Sequence, residues 1–192
     1  MPIENQAIAE RFSRDVKEHQ IEIIIDQGLY RHIRLAKPGT FVMGFDLITW
    51  PGHLCYTGDM GSFLFSRTPD MFNFFRGHSP NLSYWGEKVL ASDKNGGIRR
   101  YSADAFSARI KEYFESCTYD WEENKKEALW LEVVEQVLSV AHDGEYAARE
   151  AAARFSVFAD FWEADCTEYD FRFEWCCHAI PWGIDQYDKQ QF

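Results

Sequence analysis

The chain has no uninterrupted apolar run approaching the ~18–20 residues that a membrane-crossing helix needs. Met1 to Glu10 has no basic stretch leading into an apolar one, so the sequence reads as lacking a secretion signal. Cysteine is scarce and odd in number: Cys55, Cys117, Cys166, Cys176 and Cys177. An odd set in a chain of this size excludes a fully paired disulfide framework and points to free thiols in a reducing cytoplasm. The Cys-x₂₋₄-Cys spacing of a structural zinc site is missing. So are a Gly-x-Ser-x-Gly nucleophile elbow and the Glu-x-x-His that would accompany Glu122 and Glu123 in a di-metal bundle. No metal and no cofactor are therefore expected. No internal repeat and no low-complexity segment interrupts the sequence.

Aromatic residues make up 17% of the 192 positions and apolar residues 46%, enough for a real core and too much for a disordered chain. The net charge of −11 is unevenly spread. Residues 1–111 carry 14 Lys and Arg against 12 Asp and Glu, a balance of +2. Residues 112–192 carry 6 against 19, a balance of −13. That asymmetry argues against broad direct binding of nucleic acid, which needs a basic surface.

The chain reads as a single domain, 1–192, in three stretches. Residues 1–28 are expected to form an N-terminal helix: Ile8, Phe12 and Val16 recur at helical spacing, Ile21 to Ile25 continue it, and Gly28 stops it. Residues 29–67 read as an antiparallel meander of about four strands, Arg31–Ala36, Phe41–Trp50, His53–Thr57 and Ser62–Ser66. Its turns are Lys37-Pro-Gly-Thr40, Pro51-Gly52 and Gly58-Asp-Met-Gly61, too short for helical crossovers. Residues 68–192 read as mainly helical. Thr68 caps a short helix that ends near Gly77, residues 78–100 form a loop, and Ser102 caps a helix with Phe106, Ile110 and Phe114 on one face. Further helices follow over Glu122–Ala141, Glu145–Phe158 and Phe171–Tyr187, with Trp130, Val134, Val137, Leu138 and Ala141 as the apolar stripe of the first and a disturbance at Pro181 in the last. The class is α+β, a sheet packed by helices mostly from the C-terminal half.

Two kinds of site compete. His53 and Cys55, two apart on one strand, share a face, and Asp59 follows in the next turn. A nucleophile, base and orienter can be drawn from them, which suggests a small hydrolase or nucleotide-processing enzyme. With Cys177 and His178 the same pair could also be drawn as a zinc site, against any standard spacing. Gly58-Asp-Met-Gly61 reads as a hairpin turn and not a phosphate cradle, because its aspartate repels phosphate and no helix follows directly. The other kind is an interaction surface. Glu127, Glu132, Glu135, Glu145 and Glu150 recur along two expected helices and would draw a protein with a basic surface, a nucleic-acid-binding complex being the sharpest case. Phe75, in a helix with aromatics on more than one side, would add an apolar anchor.

The runs Phe45-Asp-Leu-Ile-Thr-Trp-Pro-Gly-His-Leu54, Gly58-Asp-Met-Gly61, Phe65-Ser-Arg67, Asp70-Met-Phe72 and Phe173-Glu-Trp-Cys-Cys-His-Ala-Ile-Pro-Trp-Gly-Ile184 resemble small uncharacterised proteins encoded by bacteriophages and prophages. The resemblance covers roughly residues 30–190 and brings no catalytic residues with it. It implies an accessory factor in the host cytoplasm that binds host machinery, including nucleases and defence complexes. The expectation is thus a non-enzymatic interaction protein, with the His53–Cys55–Asp59 enzyme as the alternative.

Overall fold

Alternating apolar residues joined by tight glycine turns build the first half of the chain, and longer-period helices the second. The computed structural model describes residues 3–191; residues 1 and 2 of the expected N-terminal helix lie outside them. In chain order the elements are α1 (Ile3–Asp15), β1 (Gln20–Gln27), β2 (Tyr30–Ala36), β3 (Phe45–Trp50), β4 (His53–Gly58), β5 (Gly61–Ser66), α2 (Met71–Phe75), α3 (Leu82–Gly86), β6 (Val89–Ser92) and β7 (Arg99–Tyr101). After them come α4 (Ala103–Cys117), α5 (Glu123–Gln136), α6 (Glu145–Ala152), β8 (Thr167–Tyr169) and α7 (Phe171–Asp188), with short 3₁₀ segments between α5 and α6 and between α6 and β8. The fold is α+β. The chain divides into two compact units, one of residues up to Ile98 with those from Tyr169 onward, the other of Arg99–Glu168.

The first unit holds a six-stranded antiparallel sheet in the order β1 to β6. The expected meander is its middle, β2 to β5, and a strand is added at each edge. Ile21 to Ile25 do not continue the first helix: they lie in β1, which pairs with β2 from Gln20↔Ala36 to Gln27↔Tyr30. Four isoleucines in this stretch favour the pleated backbone, and the turn at Gly28 (φ +66°) returns it as a hairpin. The long strand expected from Phe41 begins only at Phe45. Met43 adopts φ +57°, with its N–H donated to Asp59 and its carbonyl accepting from His19, so that residues 41–44 form a turn. Val89–Ser92, expected as loop, pairs with β5. Asp70, not Thr68, caps α2, its carboxylate accepting from the Phe72 N–H at 3.0 Å.

One face of the sheet is dry. Ile33, Leu35, Phe45, Leu47, Leu54, Tyr56, Phe63 and Phe65 alternate inward and are buried against Phe173, Trp175, Cys176, Ala179, Ile180 and Ile184 of α7. Trp175 stands edge-on to Phe45 at 5.7 Å and to Phe12 of α1 at 5.0 Å, and its indole N–H donates to Asp15 at 3.0 Å. Helix α7 runs unbroken through Pro181. Proline forgoes one helical hydrogen bond there, and burial of the flanking Ala179, Ile180, Gly183 and Ile184 holds the turn in place.

The second unit has its own core. Phe106, Ile110 and Phe114 of α4 lie on one face, as their spacing predicts, with the Ser102 hydroxyl accepting from the Ala105 N–H. They pack with Val133, Val137, Ala148, Ala151, Phe158 and Phe161. Arg149 ties the polar backbone together: its guanidinium donates to the carbonyls of Trp162 and Ala164 at 3.0 and 2.9 Å and pairs with Glu145 at 2.9 Å. The helix expected over Glu122–Ala141 tightens to 3₁₀ geometry after Gln136, and the one expected to reach Phe158 ends at Ala152.

Gly58 marks a tight spot, since a Cβ there would lie 2.3 Å from the Gly44 carbonyl oxygen. Gly58→Ala is therefore expected to lower stability by about 1–3 kcal/mol, the range for overpacking. Urea denaturation of the two proteins measures the difference, and equal midpoints would contradict this close approach.

Candidate interaction surface

The residues of the enzyme alternative are not assembled into a site. On β4, Leu54 and Tyr56 are buried inward, so His53 and Cys55 face the other side of the sheet. His53 Nδ1 lies 3.1 Å from the Pro51 carbonyl and the ring stacks on Trp50 at 5.0 Å. The Cys55 thiol points to the Tyr56 carbonyl, and burial raises its pKa, the opposite of nucleophile activation. Asp59 lies beyond the far end of β4, accepting from the Met43 N–H. Among the described residues no hydrogen bond joins the three. Cys177 is wholly buried on α7, whose packed side meets the inner sheet face, so the sheet separates it from His53 and Cys55. Gly58 and Gly61 face each other as the ends of the β4–β5 hairpin.

Phe75 is also displaced from its expected role. It is completely buried, edge-on to Phe65 at 5.3 Å and to Trp85 at 4.8 Å, so no partner meets it. The aromatics of this short helix serve the core because α2 lies against the sheet and α7 at once.

The glutamates fare differently. Glu127, Glu132, Glu135, Glu145 and Glu150 are all exposed. Glu145 is held by Arg149; the other four form no ion pair among the described residues. All five belong to the second unit, which carries 16 Asp and Glu against 8 Lys and Arg, a balance of −8. The first unit accounts for the remaining −3. A broad cleft of about 510 Å³ in the second unit is lined by Glu112, Asp160, Glu163 and Asp165 with a single cation, Arg109, itself paired with Glu112 at 2.7 Å.

Two features were not foreseen from the sequence. Of the stripe expected along α5, Trp130 and Val137 turn inward as expected, but Val133 takes the place of Val134, leaving Val134 42% and Leu131 69% exposed. Trp162, Tyr146 and Tyr119 of the same unit are exposed as well. The second feature is a charged cluster on the open face of the sheet. Asp46 of β3 accepts from Arg34 Nε at 2.9 Å and Nη2 at 3.0 Å, and lies 2.9 Å from His32 Nε2. The signal for it was His32-x-Arg34 on one strand facing an aspartate on the next, readable only once the β2–β3 register is known. Among the described residues no group of three or more His, Cys, Asp or Glu side chains is placed to hold a metal ion, and no helix is long and apolar enough to cross a membrane.

Burial alone would raise the Asp46 pKa, yet the hydrogen bonds from Arg34 and His32 outweigh it and hold the carboxyl below its ordinary value. A depressed carboxylate stabilises the fold above the unfolded-state pKa and loses that contribution as pH falls through the folded one. Asp46→Asn is expected to cost about 1–3 kcal/mol at neutral pH. The gap from the parent protein should narrow below about pH 4, as urea titrations at the two pH values will show. Comparison of the chain with protein-family models, curated proteins and solved structures gives no match.

Proposed function

We propose that this chain is a non-enzymatic interaction protein that engages a protein partner with a basic surface through its acidic helical unit. In the phage setting its role is to bind, and to inhibit or modulate, a nucleic-acid-handling or defence complex in the host cytoplasm. The observation that carries this reading is the segregation of charge: a balance of −8 within Arg99–Glu168, with Glu127, Glu132, Glu135 and Glu150 exposed and without ion pairs among the described residues. A surface of this sign repels a phosphate backbone and speeds encounter with a basic protein. The first unit serves as a scaffold in this reading.

The test compares the parent chain with the triple variant Glu127→Lys, Glu135→Lys, Glu150→Lys. Both are used to capture proteins from host lysate, with and without nuclease treatment, followed by mass spectrometry. The expected outcome is a basic protein retained by the parent after nuclease treatment, released at high salt and lost from the variant. All three positions are exposed, so the fold is expected to persist, with an unchanged circular-dichroism melt as the control. Identical capture by both chains contradicts the proposal.

A further inference from the structure

Resting on that reading, we infer that the outward side of α5, together with the groove beside it, is the docking surface, and that its occupant is a basic amphipathic helix of the protein partner. The groove lies between α4 and α5, has a volume of about 160 Å³ and a floor of Phe114 and Trp130, whose rings are 5.0 Å apart. Three carboxylates, Glu115, Glu123 and Glu127, and two ammonium groups, Lys111 and Lys126, complete its walls.

At about 100° per residue, Glu123, Val134, Glu127, Leu131 and Glu135 follow one another around α5 within ~120°. The strip therefore starts at the aromatic-floored groove, alternates carboxylates with two exposed aliphatic side chains, and ends at another carboxylate. Glu132 lies about 140° round from Glu127 and outside the strip. Core packing does not account for Leu131 and Val134, because Trp130, Val133 and Val137 turn α5 inward without them.

Charge chooses the occupant. From Lys111 to Glu135 the chain carries eight carboxylates and three lysines, and Lys125 is engaged over the Trp121 ring at 4.4 Å. An apolar pair edged by carboxylates complements a helix that shows leucine-type side chains on one stripe and Arg or Lys beside it. An arginine of that helix would enter the groove, its guanidinium against the Trp130 face and its charge toward Glu123 and Glu127.

The probe is a helical peptide of about five turns with a leucine stripe bordered by arginine, set against a peptide of identical composition scrambled to abolish the stripe. Affinities for the full chain are measured by titration calorimetry near physiological salt. The striped peptide is expected to bind at least about tenfold more tightly than the scrambled one. Leu131→Ser with Val134→Ser should remove that preference, and Glu123→Gln with Glu127→Gln should weaken the striped peptide and flatten its salt dependence. Equal binding of both peptides, unmoved by the serine variant, overturns the docking surface and leaves the charge-driven reading standing. Failure of both peptides to bind overturns the docking surface and the acidic-unit reading together.

Discussion

The first unit depends on α7 lying directly on the inner face of the sheet. Gly183 eases the approach: a Cβ there would sit 3.0 Å from the Leu47 side chain and 3.2 Å from that of Leu35, so one or the other would have to give by a few tenths of an ångström. Once α7 is in place, Trp175 meets Phe45 and Phe12, Phe173 meets Phe63 and Phe65, and the remaining helices have a ridge to pack against. The polar fastenings follow the same line. Tyr187 donates to Asp26 of β1 at 2.9 Å, and Arg76 beyond α2 pairs with Asp188 at 2.7 Å. Arg31 makes a two-pronged bond to Asp70, the residue that caps α2. Helix, sheet edge and cap are thus ordered around one packed layer.

The second unit spends its polar groups differently. One cation, Arg149, satisfies backbone carbonyls that the broken helices after Ala152 leave open, and takes Glu145 as its counter-ion. Alanines at 148, 151 and 152 let α6 pack closely against its neighbours. With the core closed by these means, the other glutamates of α5 and α6 form no ion pair among the described residues. Their combined field, and the aliphatic pair they flank on α5, are what a partner would meet.

Much of the fold was legible in the residues. Turn chemistry at Pro38-Gly39, Pro51-Gly52 and Gly58 to Gly61 marked the meander, and apolar residues at a spacing of four, Phe106, Ile110 and Phe114, marked α4. The failures share a cause in tertiary context. Ile21 to Ile25 suit helix or strand by composition, and only pairing with β2 decides. Trp130, Val137, Leu138 and Ala141 of the expected stripe do face the core, and only Val134 is misassigned, because the adjacent Val133 and Val134 offer two overlapping apolar faces and the packing surface selects Val133. Phe75 and Phe74 are equally greasy in sequence; the layer between sheet and α7 swallows the first and leaves the second half-buried. Of the candidate sites, the exposure of the glutamates was legible from polarity alone. The separation of His53 from Asp59 was legible too, since the strand and turn bounds put them at opposite ends of β4.

The central claim is that the molecule works through the α5 side of its acidic unit and not through the strand residues His53, Cys55 and Asp59. Amide hydrogen exchange on the full chain, with and without its captured partner, tests it most directly. The account predicts slowed exchange in residues 111–135, with β4 unchanged. Protection centred on residues 50–60, with α5 unaffected, would contradict it.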